Sequence, residues 1–342
     1  MLLLIILLVG TVNSQCEYVD TAALAFDGDM KINPDGYEAY AYSTNRTNLI
    51  YTEFNGTGWE KTEIHDYPFL IHMSLNYVNG TPSIMVHHWS TIILWQRIGN
   101  TWSDTLLVDR DDLHSFAFTT MDNHLSFVYS TVSSLLIYGE YNGTDWNFQT
   151  INNELYAVSL VFQDNIVIWQ TGSYNPTIYY ASGGLWDTYT LTNYTNGYLQ
   201  LLNVPGHDFP IIVMTEDTTG YAITTFRFNE TNNWIEENIT VNCLNIAPAL
   251  AYINDTLPSI ILLNNNTGTI DIYNHDIQWN FITTITPPAS DLNYLYYEQN
   301  GDYMIISGYS YSTGLFICRL PISVVTANKL LSSSSSSLLT FF

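Results

Sequence analysis

The stretches IYTEFNGTGWEKTEI (residues 50–64), LWQRIGNTWSDTLLV (94–108) and IYGEYNGTDWNFQTI (137–151) decide the fold. Each passes from a strand rich in β-branched and aromatic residues, through a polar turn, to a tryptophan that opens another strand. IYYASGGLWDTYTL (178–191), TTFRFNETNNWIEENI (224–239) and IDIYNHDIQWNFITTI (270–285) repeat the pattern. The tryptophans Trp59, Trp102, Trp146, Trp186, Trp234 and Trp279 lie 43, 44, 40, 48 and 45 residues apart. That is the length of one four-stranded propeller blade. A β-sandwich also shows short strands, but it gives no reason for a tryptophan to recur at this interval.

Upstream of five of these tryptophans lies a second hairpin: LNYVNGTPSIMVHH, FTTMDNHLSFVYS, SLVFQDNIVIWQ, LLNVPGHDFPIIVMT and LAYINDTLPSIILLN. Pro82, Pro210 and Pro258 stand at strand entrances, where a missing N–H is tolerated. Every repeat therefore divides into four strands, A to D. LAFDGDMKINPDGYEAYAY supplies strands A and B before Trp59, and YLYYEQNGDYMIISGYSYSTGLFICRLPISVV repeats the pattern without its tryptophan. The expected architecture is all-β, a seven-bladed β-propeller of four-stranded antiparallel blades. The blades fall near 20–65, 67–109, 112–152, 154–192, 196–241, 246–286 and 291–326, and no helical period interrupts them.

Both ends differ from the repeats. MLLLIILLVG is an apolar run too short to span a bilayer, followed by small and polar residues, so residues 1–14 are expected to be a secretory signal peptide with the mature chain starting at Gln15. The propeller domain is then 15–326. Residues 327–342 form a serine-rich, low-complexity tail whose apolar end is shorter than a lipid-anchor signal needs. A secretory route makes the Asn-x-Ser/Thr acceptors credible as N-glycosylation sites: Asn45, Asn55, Asn79, Asn142, Asn193, Asn229, Asn238, Asn254 and Asn265. The three cysteines are too few for a disulfide-stapled scaffold. Cys16 precedes the first blade and Cys318 lies in the last, which a closed ring brings together, so a Cys16–Cys318 bridge is expected with Cys243 left as a thiol.

Acidic residues number 32 against 8 lysines and arginines, a net charge of −24. Such a balance argues against nucleic acid and against direct binding to an anionic membrane. Charged residues make up only 12% of the chain, so solubility leans on Asn, Thr, Ser and Tyr.

At NGTPSIMV (79–86), LLIYGEYNGTDW (135–146) and TIYYASGGLW (177–186) the chain resembles secreted propellers whose repeats run Gly-x-Pro-x-Ile, Leu-x-Tyr-Ala and Gly-x-x-Trp. That group includes sialidase-like Asp-box proteins and the fucose-binding propeller lectins of bacteria and fungi. The Ser and Asp of a true Asp-box are replaced here. The resemblance therefore implies architecture, and for the recurring tryptophan it implies a packing role between blades.

Sialidase chemistry needs three arginines converging on a carboxylate. Arg46, Arg97, Arg110, Arg227 and Arg319 hold no three equivalent repeat positions. DGDMKINPDGYE (27–38) mimics a calcium loop, but Lys31 and Ile32 occupy positions that such a loop gives to an oxygen ligand and a glycine, so an ordinary A–B hairpin is expected. His87 and His88 are adjacent in a strand and point to opposite faces, which disfavours a shared metal. No catalytic residue, metal set or cofactor is assigned.

In a four-stranded blade the A–B and C–D turns emerge on one face of the ring, and the B–C turns and D–A connections on the other. Asn55, Asn79, Asn142, Asn229 and Asn254 belong to the first set; Asn45, Asn193 and Asn265 belong to the second. On that second face the loops of blades 2 to 4 present His87, His88, Trp89, Asp111, Asp112, His114, Trp169, Gln170 and Tyr174. Aromatic faces beside carboxylates and amides suit sugar rings or the hot spots of a protein partner. The functional expectation is a secreted or cell-surface, non-enzymatic recognition module for carbohydrate or an extracellular protein. A glycan-processing enzyme and a structural coat or matrix glycoprotein are the alternatives.

Overall fold

The computed structural model describes residues 15–323 except 22–24, 71, 122–123, 153–158, 164–165, 171–176, 183–184, 191–196, 203–210, 217–221, 229–233, 241–248, 254–256, 265, 276–278, 290 and 311. The expected signal peptide (1–14), the serine tail, Tyr174, Cys243, Asn193, Asn229, Asn254 and Asn265 lie outside the described residues.

After β1 (Gln15–Asp20) come β2 (Ala25–Ile32), β3 (Glu38–Thr44), β4 (Asn48–Phe54) and β5 (Trp59–Asp66), which form blade 1. Blade 2 is β6 (His72–Val78), β7 (Thr81–His88), β8 (Thr91–Ile98) and β9 (Thr101–Asp109). Blade 3 is β10 (Leu113–Met121), β11 (His124–Thr131), β12 (Leu136–Tyr141) and β13 (Trp146–Asn152). Blade 4 is β14 (Ser159–Gln163), β15 (Ile166–Gln170), β16 (Thr177–Ser182) and β17 (Leu185–Thr190). Blade 5 is β18 (Gly197–Leu202), β19 (Ile211–Glu216), β20 (Ala222–Phe228) and β21 (Trp234–Thr240). Blade 6 is β22 (Ala249–Ile253), β23 (Leu257–Asn264), β24 (Thr269–His275) and β25 (Trp279–Ile285). β26 (Leu292–Asn300), β27 (Tyr303–Ser310) and β28 (Gly314–Pro321) complete the chain's strands.

All seven sheets are four-stranded and antiparallel among the described residues. Their first strands touch in cyclic order, β2 to β6, β10, β14, β18, β22, β26 and back to β2. The sheets thus stand round a common axis as a β-propeller, with strand A innermost and strand D on the rim.

The last sheet corrects the sequence reading. Its order is β26-β27-β28-β1, so residues 15–20, not the chain between 291 and 326, supply its fourth strand. QCEYVD has no tryptophan and lies some 300 residues from its partner, so no local pattern announces it. Cys16 stands opposite Cys318 in this pairing and the two are joined by a disulfide. Charged contacts reinforce the joint: Arg319 pairs with Glu17 at 2.6 Å and with Glu38 of blade 1 at 2.8 Å, and Lys61 of blade 1 pairs with Asp20 at 2.6 Å. Gly314 permits the closure. Its φ is +96°, and a Cβ there would lie 2.1 Å from the Asp20 carbonyl oxygen.

Because each blade is covered by a neighbour on both sides, the middle strands are buried on both faces; β11 is buried from Leu125 through Thr131. This explains why B strands are continuously apolar although the sheets are antiparallel, where one wet face usually gives alternation. The repeat tryptophans Trp59, Trp102, Trp146, Trp186 and Trp279 sit on the seams. Trp102 of blade 2 meets Tyr51 of blade 1 at 5.2 Å, and Trp186 of blade 4 meets Tyr138 of blade 3 at 5.5 Å. Trp59 packs into the core that blade 1 shares with Ile305, Tyr309 and Ile317 of the last blade. Each of these indoles reaches back from strand D onto the preceding blade, so the ring closes with the same contact that builds it.

The turn sequences serve their strands. Asn79 and Gly80 both have positive φ, +49° and +78°, the conformation a two-residue hairpin loop demands. In the twin C–D turns, Asn55 Oδ1 accepts the Thr57 and Gly58 N–H groups at 3.0 Å, and Asn142 Oδ1 accepts those of Thr144 and Asp145 at 3.0 and 2.9 Å. Asn-Gly-Thr before the tryptophan is thus a side-chain-capped turn as well as an acceptor sequence.

Candidate functional site

The ring offers two places for a ligand, the axial channel and the face that carries the B–C turns. In the channel lies a cavity of about 320 Å³, lined on the blade 1 side by Asp27, Asp29 and Lys31 and elsewhere by His72, Ser74, Gln200 and Tyr296. The carboxylates here have structural work. Asp27 Oδ2 accepts the Met73 N–H at 2.7 Å and meets His72 Nδ1 at 2.8 Å, while Asp29 Oδ2 accepts the Leu75 N–H at 2.8 Å and the Ser74 hydroxyl at 2.9 Å. Strand β6 has a free edge inside the ring, and the two aspartates of β2 satisfy N–H groups that no strand reaches. Lys31 is paired with Glu298 at 2.8 Å.

The calcium-like stretch is an A–B hairpin, with β2 and β3 in register from Lys31 opposite Ala39 to Asp29 opposite Ala41. Its oxygens are dispersed: Asp27 and Asp29 go to β6, Asn33 caps its own turn by accepting the Tyr37 N–H at 2.8 Å, and Glu38 holds Arg319. Among the described residues no three His, Cys, Asp or Glu side chains form a metal-binding group.

Histidine protonation in this region follows local charge and burial. Burial works against the charge on His72, but the Asp27 carboxylate, its hydrogen bond and Asp29 outweigh it and raise the imidazole above its ordinary value of 6.5. His87 is only 2% exposed, and burial pushes it down to about 4. Its Nε2 lies 3.0 Å from the Trp89 carbonyl oxygen, which can only accept, so Nε2 carries the proton. His88 faces the other way, its ring tilted against that of Tyr67 at 4.9 Å, and burial lowers its pKa too.

Two residues of the sequence-predicted set stand clear of the surface. Trp89, in the B–C turn of blade 2, is 62% exposed with φ +49°, and Asp111 is exposed in the connection from blade 2 to blade 3. Asp112 and His114 are more engaged. Asp112 is held bidentately by Arg110 at 2.9 and 3.2 Å and also accepts the Ser133 hydroxyl, contacts that keep its carboxyl below the usual range. His114 is half-buried at the start of β10. Trp169 and Gln170 end β15, where Trp169 lies opposite Leu160 and Thr177.

Sequence reasoning missed a partner of Trp89 and the cation that covers that partner. Phe69, in the D–A connection before β6, sits 5.6 Å from its indole, and the Arg46 guanidinium lies 5.4 Å above the Phe69 ring. The segment YPFLI supplies an aromatic signal, but only the ring places it beside a turn 20 residues away.

No family model matches the chain, and no curated protein matches it. Solved structures do. A chain of the crystal structure titled mitotic checkpoint complex superposes with a TM-score of 0.64 at 9% identity, over 91% of this chain and 95% of that one. Similarity at such low identity concerns backbone alone, and what it establishes for this chain is the β-propeller fold.

Proposed function

We propose that this chain is a secreted or cell-surface recognition module that binds carbohydrate or protein ligands, without catalysis, through the B–C face of blades 2 to 4. The observation that carries this reading is Trp89: a large apolar side chain held in the open by a left-handed backbone that non-glycine residues seldom adopt. Exposed indoles beside carboxylates are typical anchors for sugars and for protein hot spots. The engagement of Asp27 and Asp29 by backbone N–H groups favours recognition over a carboxylate-pair hydrolase in the channel. Glycans at Asn55, Asn79 and Asn142, all exposed on the opposite face, would leave the loops of blades 2 and 3 open, while Asn45 is an exposed acceptor on this face in blade 1.

The test is Trp89→Ala in the glycosylated chain, applied to a glycan array and to cell surfaces. Binding is expected to fall at least tenfold with an unchanged thermal midpoint, since the indole contributes little to the core. Undiminished binding to every ligand found for the wild type refutes the reading.

A further inference from the structure

The B–C face continues past Trp89 as one hydrogen-bonded surface across blades 1 to 3. The Leu70 N–H donates to the Arg46 carbonyl at 2.6 Å, the Arg110 N–H to that of Ser90 at 2.7 Å, and the Val132 N–H to that of Asp112 at 2.7 Å. Val132 holds the turn position in blade 3 that Trp89 holds in blade 2, and it is 58% exposed. Phe69, Trp89 and Val132 are thus apolar projections on a continuous backbone frame.

Carboxylates surround them. Asp66, at the end of β5, Asp109, at the end of β9, and Asp111 are exposed, and no ion pair among the described residues uses them. Position confirms that they share the face: Asp109 stands opposite Thr91, two residues from Trp89, and Asp66 stands opposite Asn48, which follows the Arg46 turn. Asp112 is already neutralised by Arg110. Arg46, over the Phe69 ring, is a cation on this face, but the acids outnumber it, on a chain whose net charge is −24.

We infer that this face docks a cationic protein segment, one that sets an apolar side chain against Trp89 and Phe69 and surrounds it with lysine or arginine. The inference rests on the recognition reading above and narrows it. A neutral sugar uses the indole and can use the three carboxylates only as hydrogen-bond acceptors, whereas basic side chains gain charge attraction as well, and the overall negative field accelerates their approach.

The experiment uses the full glycosylated chain and three labelled nonapeptides followed by fluorescence anisotropy: one of alternating lysine and leucine, one with glutamate for lysine, and one with serine for leucine. The lysine–leucine peptide is expected to bind at least tenfold more tightly than either counterpart at 150 mM salt. Trp89→Ala and the double variant D109K/D111K should each weaken it about tenfold, and D109K/D111K should also flatten its salt dependence. The double variant D145K/D302K makes the same change in net charge on turns of the opposite face and should leave binding intact.

Equal loss in D145K/D302K and D109K/D111K overturns the inference by exposing a general charge effect, as does failure to discriminate the three peptides. If the array shows Trp89-dependent glycan binding while the peptides do not bind, the recognition reading stands and the cationic partner falls. If no ligand depends on Trp89, both fall.

Discussion

His87, His88 and Trp89 are consecutive, yet they meet three environments: the seam with blade 3, the seam with blade 1, and solvent. The strand's two-residue period separates the histidines, and the turn frees the tryptophan. For His87 this has a measurable consequence. Its folded pKa of about 4 lies below the unfolded 6.5, so the unfolded chain takes up the proton first on acidification. Stability should therefore fall as pH drops from 6.5 towards 4, by roughly 3 kcal/mol from this group. His72 acts with the opposite sign. Its pKa is raised, so its contribution is fully present below 6.5 and is lost as pH rises through the folded value. Urea denaturation at pH 7 and pH 4.5 should show His87→Gln losing less stability on acidification than the wild type; an identical loss would show that His87 is not the proton acceptor. The exposure of Trp89 and Asp111 was legible, because turn position alone predicts it. Burial of His87 was not legible, since it depends on Phe116 of another blade, 6.1 Å away.

At the level of strands, the repeat was written into local chemistry. Asn-Gly turns, a tryptophan at the mouth of strand D and unbroken apolar B strands each have a short-range cause, and together they mark the succession of blades. β1 escaped because its partner is remote and its sequence carries no turn or indole. The aspartates at 27 and 29 resembled metal ligands in sequence but act as substitutes for a missing neighbouring strand. Gly314 is where the closing pair is most sensitive. Gly314→Ala forces a side chain into the left-handed region and against the Asp20 carbonyl, and should cost about 2–4 kcal/mol. Equilibrium denaturation measures this directly, and a change under 1 kcal/mol would mean that β1 does not pass Gly314 so closely.

For the molecule as a whole, the clasp between β1 and β28 decides whether seven sheets form a ring or an open arc with unpaired edges. The disulfide spans a sequence separation of 302 residues, and in the chain-entropy picture a loop of that size stabilises by roughly 5–6 kcal/mol. Cys16→Ser/Cys318→Ser should lower the denaturant midpoint accordingly and leave the circular dichroism of the folded state unchanged, because the strand pairing and the Arg319 and Lys61 contacts remain. An unaltered midpoint would show that those contacts suffice. Non-reducing peptide mapping should recover residues 16 and 318 in one linked fragment.

The clasp also imposes a waiting time. Translation at about 5–20 residues per second needs roughly 15–60 s to travel from residue 16 to residue 318. The earliest strand to leave the ribosome is thus the last to find its place, and throughout that interval its thiol is open to the cysteine at 243, which emerges sooner than its native mate.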